Sequence, residues 1–155
     1  MTDDSAGDKL VFQIYIRATP EQVWQAITDT RFRRQYFYGS TIESTFEPGA
    51  PLRSHSPSGD LWGDDVVLAC DPPRVLVHSW RSLWDPDAAA EPESRVTWRV
   101  EPQDGLTRLT VVHDQLERSP YTARGVSGGW MFIISGLKTV LETGEPLTSP
   151  SRPTE

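Results

Sequence analysis

The sequence predicts one α+β domain in which a curved antiparallel sheet packs against a long C-terminal helix. Three observations lead to this prediction. The chain has 155 residues, about the size of a single domain. Its 11 glycines and 13 prolines favour turns and short strands over a helical bundle. Strand-like segments fill the middle of the chain and an amphipathic helical pattern follows them, which is the element order of a two-layer fold.

The N-terminal part should form a strand followed by two short helices. The segment Leu10–Arg17 is rich in β-branched and aromatic residues, as strands are. Thr19 and Gln22 have the spacing of a capping box, and the proline between them suits the first helical turn. Asp29 is a good cap for a second helix that ends at Tyr36.

Six further strands should follow, because apolar and β-branched runs alternate with Pro-Gly, Pro-Ser-Gly and Asp-Gly turns. In the last two strands every second residue is apolar, so one face of the sheet should be buried. Residues 83–94 are expected to form an irregular loop. The predicted strands cover residues 41–46, 52–55, 62–70, 75–80, 95–100 and 106–115.

The last element should be a helix capped by Ser127 and ended by Gly144. Its apolar residues recur at helical spacing and form one stripe, so the helix should cover the buried face of the sheet. Trp130 would lie in its first turn. The glycines at 125, 128 and 129 are interpreted as a hinge before the helix.

Charge and composition exclude several classes of function. The net charge is −7 without a dense Lys/Arg cluster, which argues against binding nucleic acid or an anionic membrane. Arg31, Arg33 and Arg34 are interpreted as a solvated helix face. No apolar run reaches the roughly 20 residues of a membrane span, and the single cysteine, Cys70, suits a reducing compartment, so a cytoplasmic protein is expected.

The ends of the chain should lie outside the domain. Residues 1–8 and 145–155 are polar and aperiodic, and both are expected to be disordered tails. The domain itself should therefore cover residues 9–144.

Motifs of catalysis, metal binding and phosphate binding are missing from the sequence, so neither a cofactor nor a metal is expected. His78 and His113 each share strand parity with apolar neighbours, which predicts side chains that point inward. Six tryptophans, five phenylalanines and four tyrosines are a heavy aromatic content for this length. They are compatible with either a tryptophan-rich core or a cavity lined by aromatic rings.

Four separated segments resemble the START-like, helix-grip superfamily. More narrowly, they resemble the family named for the C-terminal domain of the activator of the heat-shock-protein-90 ATPase. The resemblance covers about residues 9–144 and includes the Pro72-Pro73-Arg74 corner, Trp80, His113 and the Gly129-Trp130 pair. It implies a seven-stranded antiparallel sheet around the C-terminal helix, with a cavity between them. The segments are IYIRATPEQVWQAITD, CDPPRVLVHSW, RVTWRVEPQDGLTRLTVVHDQL and GGWMFIISGLKTVLETG.

The favoured function is non-catalytic binding of a small hydrophobic or aromatic molecule in that cavity, by a monomer or weak homodimer. One alternative is a co-chaperone that stimulates the heat-shock-protein-90 ATPase. The other is a polyketide cyclase-like, aromatase-like or hydrolase-like enzyme, for which His78 and His113 are the candidate bases. The residues expected to line the cavity are Trp62, His78, Trp80, Trp98, Val111, His113, Trp130, Ile134 and Leu137.

Overall fold

The computed structural model describes residues 9–148. Within them, seven antiparallel strands form one sheet in the order β1-β7-β6-β5-β4-β3-β2, and a long helix packs its apolar stripe on the sheet. The predicted α+β, helix-grip fold is confirmed. The strands are Leu10–Ile16 (β1), Thr41–Glu43 (β2), Pro51–His55 (β3), Leu61–Asp71 (β4), Val75–Trp80 (β5), Ser94–Gln103 (β6) and Leu106–Asp114 (β7). The helices are Pro20–Thr28 (α1), Thr30–Tyr36 (α2), Pro86–Ala89 (α3) and Pro120–Thr143 (α4).

The predicted tails lie mostly outside the described residues. Residues 1–8 and 149–155 are not described, whereas residues 145–148 continue past the end of α4. No helix among the described residues is both long and apolar enough to cross a membrane.

The two short helices begin where the sequence predicts. Thr19 Oγ1 accepts a hydrogen bond from the Gln22 backbone at 3.1 Å, and Gln22 Oε1 accepts one from the Thr19 backbone at 2.8 Å. Asp29 caps α2 by accepting from the Arg31 backbone at 2.8 Å. The face of α1 that is fully buried carries Val23, Ala26 and Ile27.

The hairpin between β6 and β7 forms around Asp104 and Gly105, as predicted. Both residues have positive φ angles, 53° and 82°, which is the pattern of a type I′ turn. The turn sets a register in which Trp98 lies opposite Val111. Since side chains alternate along a strand, Trp98, Val111 and His113 are buried on the same side of the sheet.

The middle of the chain differs from the prediction in three places, and one of them is the strand expected at 95–100, which runs on to Gln103. The strand expected at 41–46 ends at Glu43, and Phe46 has a positive φ of 62° that no regular strand accommodates. The expected loop at 83–94 contains the short helix α3, whose Asp85 side chain accepts a hydrogen bond from the Asp87 backbone at 3.1 Å.

Helix α4 begins eight residues earlier than predicted, with Ser119 instead of Ser127 at the N-cap position. Pro120 occupies its first turn, and Ser127 lies within the helix instead of capping it. The cap is Glu91, whose carboxylate accepts hydrogen bonds from the backbone N–H groups of Tyr121 and Thr122, both at 2.8 Å. The Ser119-Pro120 pair was a local signal for this start, since Ser suits the N-cap position and Pro the first turn, but the side chain that caps the helix comes from about 30 residues upstream.

The glycines at 125, 128 and 129 are consequently helical residues, and the predicted hinge is wrong. Trp130 lies in the middle of α4 and is 1% exposed. The end of the helix is as predicted, since Gly144 has a left-handed φ of 82°.

The Glu91 cap yields a testable prediction. Glu91→Ala should lower the free energy of unfolding by about 1 kcal/mol, because it leaves two backbone N–H groups of α4 without an acceptor and removes a negative charge from the helix N-terminus. Urea denaturation measures the change, and Glu93→Ala, at an exposed position two residues away, is the matched control. Equal effects of the two substitutions would contradict the role of Glu91 as a cap.

Candidate functional site

A cavity of about 740 Å³ opens beside the N-terminal half of α4. We call it the aromatic cleft. Its walls come from the end of α2, the turn between β3 and β4, the segment after β5 and one side of α4. Polar groups are contributed by Arg34, Gln35, Ser56, Ser58, Asp60 and Thr148. The aromatic residues of its lining are Tyr36, Phe37, Tyr38, Trp62, Trp80, Trp84, Trp130 and Phe132.

The wall formed by the end of α2 depends on a close approach between two helices. A Cβ atom at Gly136 of α4 would lie 3.1 Å from the Cβ of Tyr36, so a larger residue there would push α2 away. The Tyr36 hydroxyl donates a 2.6 Å hydrogen bond to the carbonyl of Ala26 in α1. These two contacts fix the end of α2, and Phe37 and Tyr38 project from it into the cleft.

The floor of the cleft consists of Trp80 and Trp130, whose ring centroids are 5.7 Å apart. Phe37 packs against both rings, with centroid distances of 6.4 and 6.1 Å. All three side chains are buried. The floor is therefore continuous with the hydrophobic core.

The mouth of the cleft exposes aromatic surface. Tyr38 stacks on Phe132 at 5.3 Å, and Trp84 is 50% exposed while it makes edge contacts with Trp62 and Trp80. Leu147, from the segment after α4, completes the rim. A ligand entering the cleft would meet these rings first.

Two histidines lie beneath the floor and accept hydrogen bonds from tryptophans. Trp130 Nε1 donates to His113 Nδ1 at 3.0 Å, and Trp98 Nε1 donates to His78 Nε2 at 3.0 Å. An indole can only donate, so the accepting nitrogen of each histidine carries no proton. The other nitrogens carry the protons, and they lie 2.8 Å from Ser94 Oγ in His113 and 2.8 Å from the Ser79 carbonyl in His78.

Burial keeps both histidines neutral. It lowers the pKa of His78 to about 4 and that of His113 to about 3, because a charged ring would lose its hydration. In His113 the nearby His78 adds to this effect. Protonation would also remove the acceptor for a tryptophan N–H, so both rings stay in one tautomer.

The structure brings three of the nine predicted site residues to the cleft, namely Trp62, Trp80 and Trp130. The other six are buried in the core and do not line the cleft: His78, Trp98, Val111, His113, Ile134 and Leu137.

Sequence reasoning missed most of the rim. The run Tyr36-Phe37-Tyr38 at the end of a short helix was a usable signal, since three consecutive aromatic residues cannot all enter one core. Gly125 and Gly129, one helical turn apart, were the other signal, because two positions without side chains on the same side of α4 leave space beside the helix.

A metal site finds no support in the described part of the chain. No group of three or more His, Cys, Asp or Glu residues there is arranged to hold an ion. His55, at the end of β3, does not join the other two histidines in such a group.

Comparison with known proteins identifies the family. The model of the Activator of Hsp90 ATPase homolog 1-like protein family matches residues 17–142, so the chain belongs to this family. No curated protein matches the sequence significantly.

Solved structures with the same fold include DynU16, from the dynemicin biosynthetic locus. It is 26% identical over 94% of this chain, with a TM-score of 0.73, but the chain spans about half of that protein, 51%. CalU16 from Micromonospora echinospora is 22% identical, over 89% of this chain and 76% of its own, with a TM-score of 0.70. The Aha1 dimer from Colwellia psychrerythraea is 17% identical, over 88% and 97%, with a TM-score of 0.70.

The buried titratable groups predict how stability depends on pH. Between pH 6.5 and about 4, His78 and His113 bind protons in the unfolded chain but not in the folded one, so the free energy of unfolding should fall as the pH falls. Asp65 acts in the opposite direction, because burial raises its pKa from 3.8 to about 7 and the folded chain binds its proton first.

Asp65→Asn should therefore steepen the loss of stability on acidification, by as much as about 1.4 kcal/mol per pH unit. Urea denaturation at intervals from pH 7.5 to 4.5 measures both slopes. A slope that is unchanged or shallower in Asp65→Asn would show that Asp65 titrates in its ordinary range.

Proposed function

We propose that this protein binds a small hydrophobic or aromatic molecule in the aromatic cleft, without transforming it. The observation that carries the proposal is a cavity of about 740 Å³ whose wall and floor are mainly aromatic. Ligand pockets typically measure about 300–1,000 Å³ and are lined by apolar side chains with a few polar groups. The cleft has both properties.

The rigidity of the floor supports this proposal. Trp80 and Trp130 have their indole N–H groups bonded, to Ser82 Oγ at 2.9 Å and to His113 Nδ1 at 3.0 Å. Their ring faces and edges are thus held in place before a ligand arrives, which reduces the entropy cost of binding. The similarity to DynU16, a protein from a biosynthetic locus, also agrees with a small-molecule ligand.

The enzymatic alternative required His78 or His113 as a base in the cavity. Both lie outside the cleft lining, and both ring nitrogens of each are engaged in hydrogen bonds. A base needs a free lone pair within reach of the substrate proton. Binding without chemistry is therefore favoured over catalysis by these histidines.

The co-chaperone alternative rests on the family name and on the similarity to the Aha1 dimer. In this chain, the exposed rings of Tyr38 and Trp84 belong to the mouth of the cleft. They are explained by ligand entry without a chaperone partner, and an ATPase assay with the heat-shock protein would test the alternative directly.

A pair of glycine substitutions tests the proposal. Gly125 and Gly128 are both exposed residues of α4, and a Cβ atom at either position would meet nothing within 4 Å, but Gly125 lines the cleft and Gly128 does not. Gly125→Leu should place four carbon atoms in the cleft. Leu is the better helix former by roughly 0.8–1 kcal/mol, so both variants should fold.

We expect the neutral fluorophore N-phenyl-1-naphthylamine to bind the wild type with increased, blue-shifted emission. Gly125→Leu should weaken this binding roughly tenfold, which is about 1.4 kcal/mol, because the leucine side chain occupies part of the space that the fluorophore needs. Gly128→Leu should bind as the wild type does. Absence of binding to the wild type, or equal binding to the two variants, would contradict a ligand site in the cleft.

A further inference from the structure

A second, small cavity of about 20 Å³ borders the aromatic cleft. We call it the polar pocket. It shares the rings of Phe37, Trp62, Trp80 and Trp84 with the aromatic cleft, so the same four side chains border both spaces. Its remaining lining is polar and comes from Arg33, Ser40, Ser54, Gly63, Asp65 and Arg81.

Arg33 is a buried cation in this pocket, although the sequence suggested a solvated helix face. It is 7% exposed, and its Nε donates to Ser40 Oγ at 3.2 Å. Its Cζ lies 3.7 Å from the centre of the Phe37 ring, a cation–π contact. Among residues 9–148, no carboxylate forms a salt bridge with it.

Arg81 is the second cationic side chain in the lining of the polar pocket, and one of its N–H groups makes no hydrogen bond to the described residues. Its Nε is buried and has no hydrogen-bond partner among the described residues. Arg81 also forms no salt bridge within residues 9–148. A buried N–H without an acceptor is unfavourable, so an acceptor that enters the pocket would be bound strongly.

Asp65 is the single carboxyl in the lining of the polar pocket, and it does not neutralise both cations. The Ser79 hydroxyl donates to Asp65 Oδ1 at 3.2 Å, which turns part of the carboxyl toward β5. Burial raises the pKa of Asp65 to about 7, so near neutral pH it is partly protonated. The lining therefore carries an excess of positive charge.

The size of the polar pocket limits what it can accept. A void of this volume holds about one water molecule, hence one oxygen atom of a larger group. A guanidinium presents a planar fork of donors that matches a carboxylate. Trp84, half exposed and in a loop segment, is the wall residue that can turn aside with least disturbance of the core.

We propose that the ligand of the aromatic cleft carries a carboxylate, which binds Arg33 and Arg81 at the polar pocket while the apolar body rests on the rings of the cleft. The inference rests on the proposed function, because it needs the cleft to be a ligand site. It specifies the ligand class as aromatic or aliphatic carboxylic acids.

The experiment compares two probes that differ in charge and share one ring system, 2-naphthoic acid and 2-naphthamide. Binding is followed at pH 7.5 by quenching of tryptophan fluorescence and by calorimetry. We expect the wild type to bind the acid at least roughly tenfold more tightly than the amide, because hydrogen bonds to charged groups are the stronger ones.

Arg81→Met should abolish this preference and leave the affinity for the amide within about twofold of the wild type. Arg33→Met should do the same, and if that buried substitution does not fold, Arg81→Met and Arg81→Lys carry the test. Arg81→Lys keeps the charge without the planar fork and should retain a reduced preference. Arg34→Met tests a competing cation, since Arg34 lines the cleft and not the polar pocket, and Arg99→Met, at an exposed position outside both linings, is the matched control.

The possible failures are distinguishable. Equal affinity of the wild type for acid and amide would overturn the carboxylate site and leave the proposed function standing, with water as the occupant of the polar pocket. A preference that survives Arg81→Met and disappears in Arg34→Met would also overturn it. Failure of both probes and of N-phenyl-1-naphthylamine to bind would contradict the proposed function itself.

Discussion

An indole N–H that is buried needs an acceptor, and in this core the acceptors for two tryptophans are histidine nitrogens. Trp130 of α4 donates to His113 of β7, and Trp98 of β6 donates to His78 of β5. The first bond joins the helix to the sheet, and the second joins two neighbouring strands. Leaving either donor unpaired would cost about 1–3 kcal/mol, so the helix has one favourable position on the sheet.

This pairing also determines the surface above it. Because Trp130 is held by His113, its ring stands next to Trp80 and Phe37 and closes the core on that side. The floor of the cleft thus belongs to the part of the molecule that is most strongly constrained. The rim comes instead from Tyr38, Trp84 and Leu147, which are all largely exposed. Substitutions at the rim can change which ligand is accepted while the fold is preserved.

Local patterns in the sequence predicted the fold well, because strands, turns and caps are determined by neighbouring residues. The capping box at Thr19 and the Asp104-Gly105 turn are examples. The start of α4 was mispredicted at Ser127, although Ser119-Pro120 is also a helix-start pattern, and the side chain that caps the helix, Glu91, is distant in sequence. Arg33 was misinterpreted for a similar reason: a charged residue in a short helix looks solvated until the tertiary fold buries it.

The position of the cleft was the hardest feature to predict. Strand parity showed that His113 and Val111 point inward, but inward-facing residues can either fill a core or line a cavity. Which of these occurs depends on how α2 is placed against α4, and that placement depends on tertiary contacts such as Gly136 against Tyr36. The high aromatic content therefore indicated that aromatic rings would line a core or a cavity, but it did not show where in the fold a cavity would lie.

The cleft and the polar pocket are both unfavourable for the stability of the free protein. The cleft leaves aromatic rings in contact with water, and the polar pocket buries cationic side chains without a salt bridge among residues 9–148. Replacing Arg33 and Arg81 by apolar residues would remove the cost of burying cations. Stability alone therefore does not explain why arginines occupy these positions. An apolar molecule with an acidic end would relieve both costs at once. Since anything that binds the folded chain alone also stabilises it, a ligand of the proposed class would raise the free energy of unfolding through these same residues.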